Sequence, residues 1–215
     1  MKAFPPRERE GVYRAIVSQR ETHVFRPDPV PDLVLARILQ AARRAPSFGT
    51  LNSWKFILVR DLETRLRIDS TTTREGLSAK PIREAPVNLC VACGPLAASP
   101  RRNGTESLGS ADFLTMCGMV QNLWLAARAE GLGVAWIDIQ HPDSLRQVLE
   151  IPSRMLPIAL LCVGYSCGST EPQVAEKPRE HRADLTDLVY VNRWGSRADA
   201  EPLFRHLDDQ RLLLL

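Results

Sequence analysis

The chain has 215 residues, 44% of them hydrophobic, with 28 Lys and Arg against 25 Asp and Glu for a formal net charge of +3. That length and apolar content suit one globular domain, residues 1–215, with enough side-chain volume for a sizeable core. An excess this small, with the arginines scattered along the chain, argues against nucleic acid or a membrane surface as the partner.

Residues 1–10 are charged and lack the apolar stretch of a secretory signal. No apolar run reaches the roughly 20 residues of a membrane span, and the closing Leu212 to Leu215 is far too short. Five cysteines, an odd number without an export signal, point to reduced thiols in a cytoplasm.

A short amphipathic helix over residues 8–18 carries Val12, Tyr13, Ile16 and Val17 on one side. The proline-rich stretch 26–31 breaks it, and Pro31 suits the first turn of a second helix. In that helix Val34, Ile38, Ala41 and Ala45 recur at helical spacing, backed by Leu35, Leu39 and Ala42, up to Pro46. Residues 55–60 and 87–93 read as strands. Between them, the polar segment 62–82, with Thr71, Thr72 and Thr73 in a row, suits a mobile surface segment or a partly helical lid. Cys90 and Cys93 form a C-x-x-C, but residues three apart on a strand face opposite sides, and no second pair or histidine lies near. Core packing is the better reading of them, and no metal is expected.

Residues 112–130 carry the strongest periodic signal. Phe113, Met116, Cys117, Val120, Trp124 and Ala127 form a stripe, and neighbours such as Leu114 and Leu125 make the helix apolar nearly all round. Such a helix is buried or is half of a dimer interface. Gly131-Leu132-Gly133 ends it. A strand over 134–139, a short helix over 142–149 and a wholly apolar strand over 157–163 follow. Strands and helices alternate, so the class is α/β with a buried central sheet. Residues 179–194 read as the start of an extended C-terminal arm, about 179–215, that leaves the domain body.

The segment 37–54, RILQAARRAPSFGTLNSW, resembles the helix-to-loop signature of the nitroreductase superfamily. The runs VYRAI at 12–16, VQNLWLAARAEG at 120–131 and VAW at 134–136 are similar to its 5,6-dimethylbenzimidazole synthase branch, whose members cleave reduced FMN with oxygen. The similarity runs from about residue 8 to 195. It implies a nitroreductase-like α/β (α+β) fold with a central mixed β-sheet flanked by helices. It also implies a domain-exchanged homodimer with FMN sites between the subunits, and a small-molecule substrate. Electrons would come from NAD(P)H or a flavin reductase.

The resemblance places the phosphate-binding motif at Gln19-Arg20-Glu21-Thr22-His23, where the family has basic residues at both ends and this chain keeps Arg20 as the one lasting cation. Arg182 matches another position near the phosphate; read alone, both arginines are ordinary solvated side chains. Pro46-Ser47-Phe48 corresponds to the loop lining the flavin ring, and Asn52-Ser53 replaces a Gln-Pro pair before Trp54. Glu21 and Asp138 are the candidate catalytic residues: Glu21 keeps a carboxylate that the synthases use, and Asp138 stands where they have a hydroxyl. Asp138 interrupts an apolar strand, which predicts partial burial and a raised pKa. Protonated, it could donate to flavin N5 or act as general acid; ionised, it would oppose charge on the reduced ring; a strand-end cap is the plain alternative. Segment 62–82 is shorter than the lid of the synthases, which implies a more open site. Three functions fit: an FMN-dependent oxidoreductase diverged from the synthases, an authentic synthase, or a non-catalytic flavin-binding or scaffold protein.

Overall fold

The computed structural model describes residues 2–47, 54–72, 80–94, 110–167 and 188–195. Ser18–Cys167 form one compact unit, and Met1–Val17 with Gly168–Leu215 form a second. Within the described residues the elements run α1 (Pro6–Ser18), α2 (Asp32–Arg43), β1 (Trp54–Val59), α3 (Leu62–Thr72), α4 (Lys80–Glu84), β2 (Val87–Cys93), α5 (Ser110–Ala129), β3 (Gly133–Ile137), α6 (Pro142–Val148) and β4 (Leu156–Gly164).

The four strands form one sheet in the order β1-β2-β4-β3, and every adjacent pair is antiparallel. Among the described residues, the mixed character expected of this sheet is confined to one parallel bridge, Glu21 to Val134, outside the named strands. Side-chain alternation divides the core in two. Val87, Leu89 and Val91 of β2, Ala159, Leu161 and Val163 of β4, and Val134 of β3 pack with Leu35, Ile38 and Ala42 of α2 and with Met116, Met119, Val120, Leu123 and Ala127 of α5. The intervening Cys90, Ala92, Ala135, Leu160 and Cys162 meet Ile68 of α3, Ile82 of α4 and Leu145 of α6. Helices on both faces explain why β2 is buried at every position and why β4 reads as an unbroken apolar run.

The polar segment 62–82 holds α3 and α4, with residues 73–79 outside the described residues. Ile68 is the fully buried anchor of α3. From the same helix Arg65 Nη1 donates to the carbonyls of Arg83 (2.7 Å) and Ala85 (2.5 Å), while the buried Asn88 amide donates to Ile82 O (3.0 Å). These side chains satisfy the last carbonyls of α4, which its five residues cannot pair internally.

Helix α5 stops where expected. Gly131 adopts φ +78°, its N–H donates to Arg128 O (3.1 Å), and the Leu132 N–H donates to Ala127 O (2.8 Å). This is a Schellman cap, and the left-handed residue costs least as glycine. The buried stripe keeps Met116, Val120 and Ala127 of the predicted one and adds Met119 and Leu123, whereas Phe113 and Cys117 are exposed and Trp124 is half-buried. Phe113 and Leu114 are 51% and 53% exposed, so among the described residues the first turns of α5 show apolar surface. In the other unit, α1 buries none of its residues, and Tyr190 stacks at a tilt on Trp194 with ring centroids 4.9 Å apart. Most of the proposed arm, 179–215, lies outside the described residues.

Cys90 and Cys93 are both buried, as are the strand faces around them. Burial pushes the Cys90 thiol up to about 12 and that of Cys162 higher still, with nearby Arg65 opposing the second shift. Both thiols therefore stay neutral in the folded chain at pH values where an unfolded thiol, near 9.0, begins to ionise. Stability is full below about pH 9 and falls as pH rises from about 9 toward 12. Denaturant midpoints measured across that window should decline, and Cys90→Ala should flatten the decline; an unchanged slope would contradict the assignment.

Candidate functional site

The motif at residues 19–23 runs alongside β3. Glu21 forms the parallel bridge with Val134, and the Thr22 N–H donates to Val134 O (3.0 Å). Further on, Phe25 bridges Ser166 in the antiparallel sense, with Arg26 N–H on Tyr165 O (2.8 Å) and Cys167 N–H on Val24 O (3.2 Å). The motif is thus an added edge of the sheet, held by backbone pairing rather than left as a free loop. Gly133 makes the approach possible: a Cβ there would lie 2.2 Å from Thr22 Oγ1 and 2.6 Å from its Cβ.

Side chains then fix the motif's orientation. Glu21 Oε1 accepts the Trp136 N–H (3.2 Å), and its Oε2 stands 3.8 Å from His23 Nε2. Gln121 Nε2 on α5 donates to Gln19 Oε1 (3.1 Å), Arg128 Nε on the same helix donates to Ser18 O (3.3 Å), and Arg20 Nη1 donates to Gln19 O (2.7 Å).

Helix α5 also positions the Pro46-Ser47 loop. Asn122 Nδ2 donates to Ala41 O (3.3 Å) near the end of α2, and the place of a Cβ on Gly118 lies 3.7 Å from Ala45 Cβ and 4.0 Å from Pro46 Cδ. Gly118, Gln121 and Asn122 are spaced i, i+3, i+4 and so share one side of the helix. A bidentate pair ties α2 to the end of α5: Arg37 Nε and Nη2 donate to the Glu130 oxygens at 2.6 and 2.8 Å, which holds the Glu130 carboxyl below its ordinary range. The pair is largely solvent-exposed, so its part is registration more than stability.

Asp138 departs from expectation. β3 ends at Ile137, and Asp138 is exposed, its carboxylate accepting from the Gln140 side-chain amide. The partial burial expected of Asp138 is absent, because the strand stops before the acid is enclosed. Asp138 lies two residues after Trp136, whose N–H holds Glu21, so both candidate acids lie near the end of β3. Phe48, Asn52, Ser53 and Arg182 lie outside the described residues.

Sequence reasoning missed Gly118, Gln121, Asn122 and Arg128. The signal was available: small and polar residues at i, i+3 and i+4, with Arg128 seven residues after Gln121, on a helix otherwise apolar nearly all round. Among the described residues no group of three or more His, Cys, Asp or Glu could hold a metal ion, and no helix is long and apolar enough to cross a membrane.

The chain belongs to the nitroreductase family, whose model matches residues 16–165, a span that contains the 19–23 motif, the Pro46-Ser47 loop and Asp138. Among its relatives, the 5,6-dimethylbenzimidazole synthase of Rhodospirillum rubrum is 30% identical, with 75% of this chain and 85% of the relative covered. The NADH dehydrogenase of Thermus thermophilus is 28% identical, with 81% and 93% covered. The structure of the NADPH:FMN oxidoreductase from Vibrio harveyi complexed with NAD+ superposes with a TM-score of 0.67 at 22% identity, covering 86% of this chain and 78% of that one. The architecture is therefore the nitroreductase fold.

The contact of Gly133 with Thr22 gives a direct test of how the motif is held. Gly133→Ala should force Thr22 and the bridge at Glu21 outward and cost about 1–3 kcal/mol in chemical denaturation, as overpacking does. A substitution without effect would mean that the motif is not fastened at this point.

Proposed function

We propose that the chain is an FMN-dependent oxidoreductase, a divergent relative of the 5,6-dimethylbenzimidazole synthases, working as a homodimer on a small organic substrate or on reduced flavin itself. One observation carries this reading: a single buried helix, α5, holds both the anion-donor motif through Gln121 and the ring-side loop through Gly118.

The residues present fit the group. A phosphate dianion needs cations and N–H or O–H donors, and the motif region offers Arg20, the Thr22 hydroxyl and the Gln19 amide, with Arg128 reaching the Ser18 carbonyl just before the motif. Pro46 and Ser47, both exposed, would line the ring, with Phe48 and Arg182 completing the site as the family resemblance implies. When bound, FMN supplies two-electron transfer between a nicotinamide or reductase donor and an acceptor. The protein's own contribution is placement. Arg20 offsets the phosphate charge, Glu21 stays committed to the Trp136 N–H, and Asp138, oriented by Gln140, offers a hydrogen-bond acceptor or a proton to whatever lies past the end of β3.

A second copy would cover the apolar surface at Phe113 and Leu114 and give α1 the burial it lacks, with residues 179–215 as the arm between subunits. Reduced cysteines, all five unbridged, accord with a cytoplasmic setting. A second reading, authentic synthesis of 5,6-dimethylbenzimidazole, draws on the 30%-identical relative of that name and on the retained carboxylate of Glu21.

The purified protein is expected to elute as a dimer and to be yellow, or to turn so with FMN, with the ring's visible bands shifted on binding. A colourless monomer indifferent to added FMN would sink the reading and leave a non-catalytic scaffold in its place. Asp138→Ser, supplied with FMN, a reductant and air, is expected to increase flavin fragmentation over the wild type. Identical products from both proteins would remove Asp138 from any role in directing the reaction.

A further inference from the structure

Resting on the FMN reading above, we propose that Gln121 of α5 is a positioning residue that turns the neutral side-chain amide of Gln19 into a directed donor for the flavin phosphate. It thereby makes good the cation this chain lacks at the first position of the motif.

A primary amide presents two opposite faces to an anion: its N–H groups attract and its carbonyl oxygen repels. A glutamine in a phosphate motif therefore helps only if something else claims its oxygen. Gln121 Nε2 does so, donating to Gln19 Oε1 at 3.1 Å. With the oxygen engaged, the amide cannot flip without losing that bond, which leaves its N–H₂ end to serve an anion.

The backbone acceptors beside it are treated in the same way. Arg20 Nη1 covers Gln19 O at 2.7 Å and Arg128 Nε covers Ser18 O at 3.3 Å. Three oxygens that would repel a phosphate are thus each engaged by a donor, two of them by guanidinium groups that add positive charge. The motif's own carboxylate, Glu21, is turned onto the Trp136 N–H at 3.2 Å. Gln121 and Arg128 are seven residues apart, two turns along one side of a helix whose opposite side is fixed in the core by Met119, Leu123 and Ala127. The donors are therefore held on a rigid element, as an oriented anion site requires.

The test uses the full-length protein and two ligands that differ only in the phosphate, FMN and riboflavin, titrated by flavin fluorescence. Wild type should bind FMN more tightly than riboflavin. Gln121→Met, which keeps the side chain's length and removes its donor, should weaken FMN roughly three- to tenfold, the scale of one ordinary hydrogen bond. Riboflavin affinity should stay within about twofold, a control that a misfolded or loosened protein would fail. Gln19→Met should match Gln121→Met, and the double variant should lose no more than either single one, because both changes remove one relay. Equal loss of both ligands in Gln121→Met, full additivity in the double variant, or unchanged FMN binding in Gln121→Met would each overturn the proposal while leaving the flavin assignment intact. A wild type that binds neither ligand would instead overturn the flavin assignment itself.

Discussion

Met116, Met119, Val120, Leu123 and Ala127 fasten α5 to one face of the sheet, and the turns they anchor also carry Gly118, Gln121, Asn122 and Arg128. Hydrophobic burial on one side of the helix therefore sets polar geometry on another. Each buried aliphatic side chain is worth about 1.5–3 kcal/mol, far more than any of the exposed hydrogen bonds it indirectly aims. The motif at 19–23 and the loop at 46–47 come from distant parts of the chain, yet their separation is fixed by one rigid ruler lying between them. Backbone pairing of the motif to β3 adds a second fixed edge.

Much of the architecture was legible because its signals were long and redundant. All four strands were predicted to within a residue or two of their ends, since β2 and β4 are unbroken apolar runs and β1 is rich in β-formers. Their antiparallel pairing was not legible: strands buried on both faces read alike whichever way they run, and the expected mixed sheet came from the resemblance. Helix α3 was foreseen only as one of two readings, a partly helical segment, because its core contribution rests on Ile68, with Leu62 and Leu66 turned to solvent. A helix held by one side chain and by Arg65 on distant carbonyls leaves almost no periodic trace. The stripe of α5 was placed only in part for the opposite reason, an excess of apolar positions from which periodicity cannot choose.

The candidate site divides in the same manner. Residues 19–23, 46 and 47 were found by resemblance, and the structure supplies what holds them. Asp138 was expected to be enclosed because it stands among apolar residues, but the hydrogen-bonded strand ends one residue earlier and the side chain faces outward to Gln140. The polar spacing on α5 marks Gln121 as unusual, but its partner lies 102 residues away, so the spacing alone does not say what it bonds. The departures from the family pattern at positions 19 and 23 are thus better judged with α5 in view than from the motif alone.

The way Glu21 and Thr22 lie against β3 also bears on solubility. β3 ends the sheet, and an outer strand with open N–H and C=O groups invites another chain to add to it. Here Thr22 occupies the carbonyl of Val134 while the Glu21 carboxylate takes the Trp136 N–H and sets a negative charge on the rim. A foreign strand approaching this border would meet hydrogen-bonding positions already filled and an acid it must desolvate. The same few atoms that hold the motif in place thereby discourage edge-to-edge aggregation.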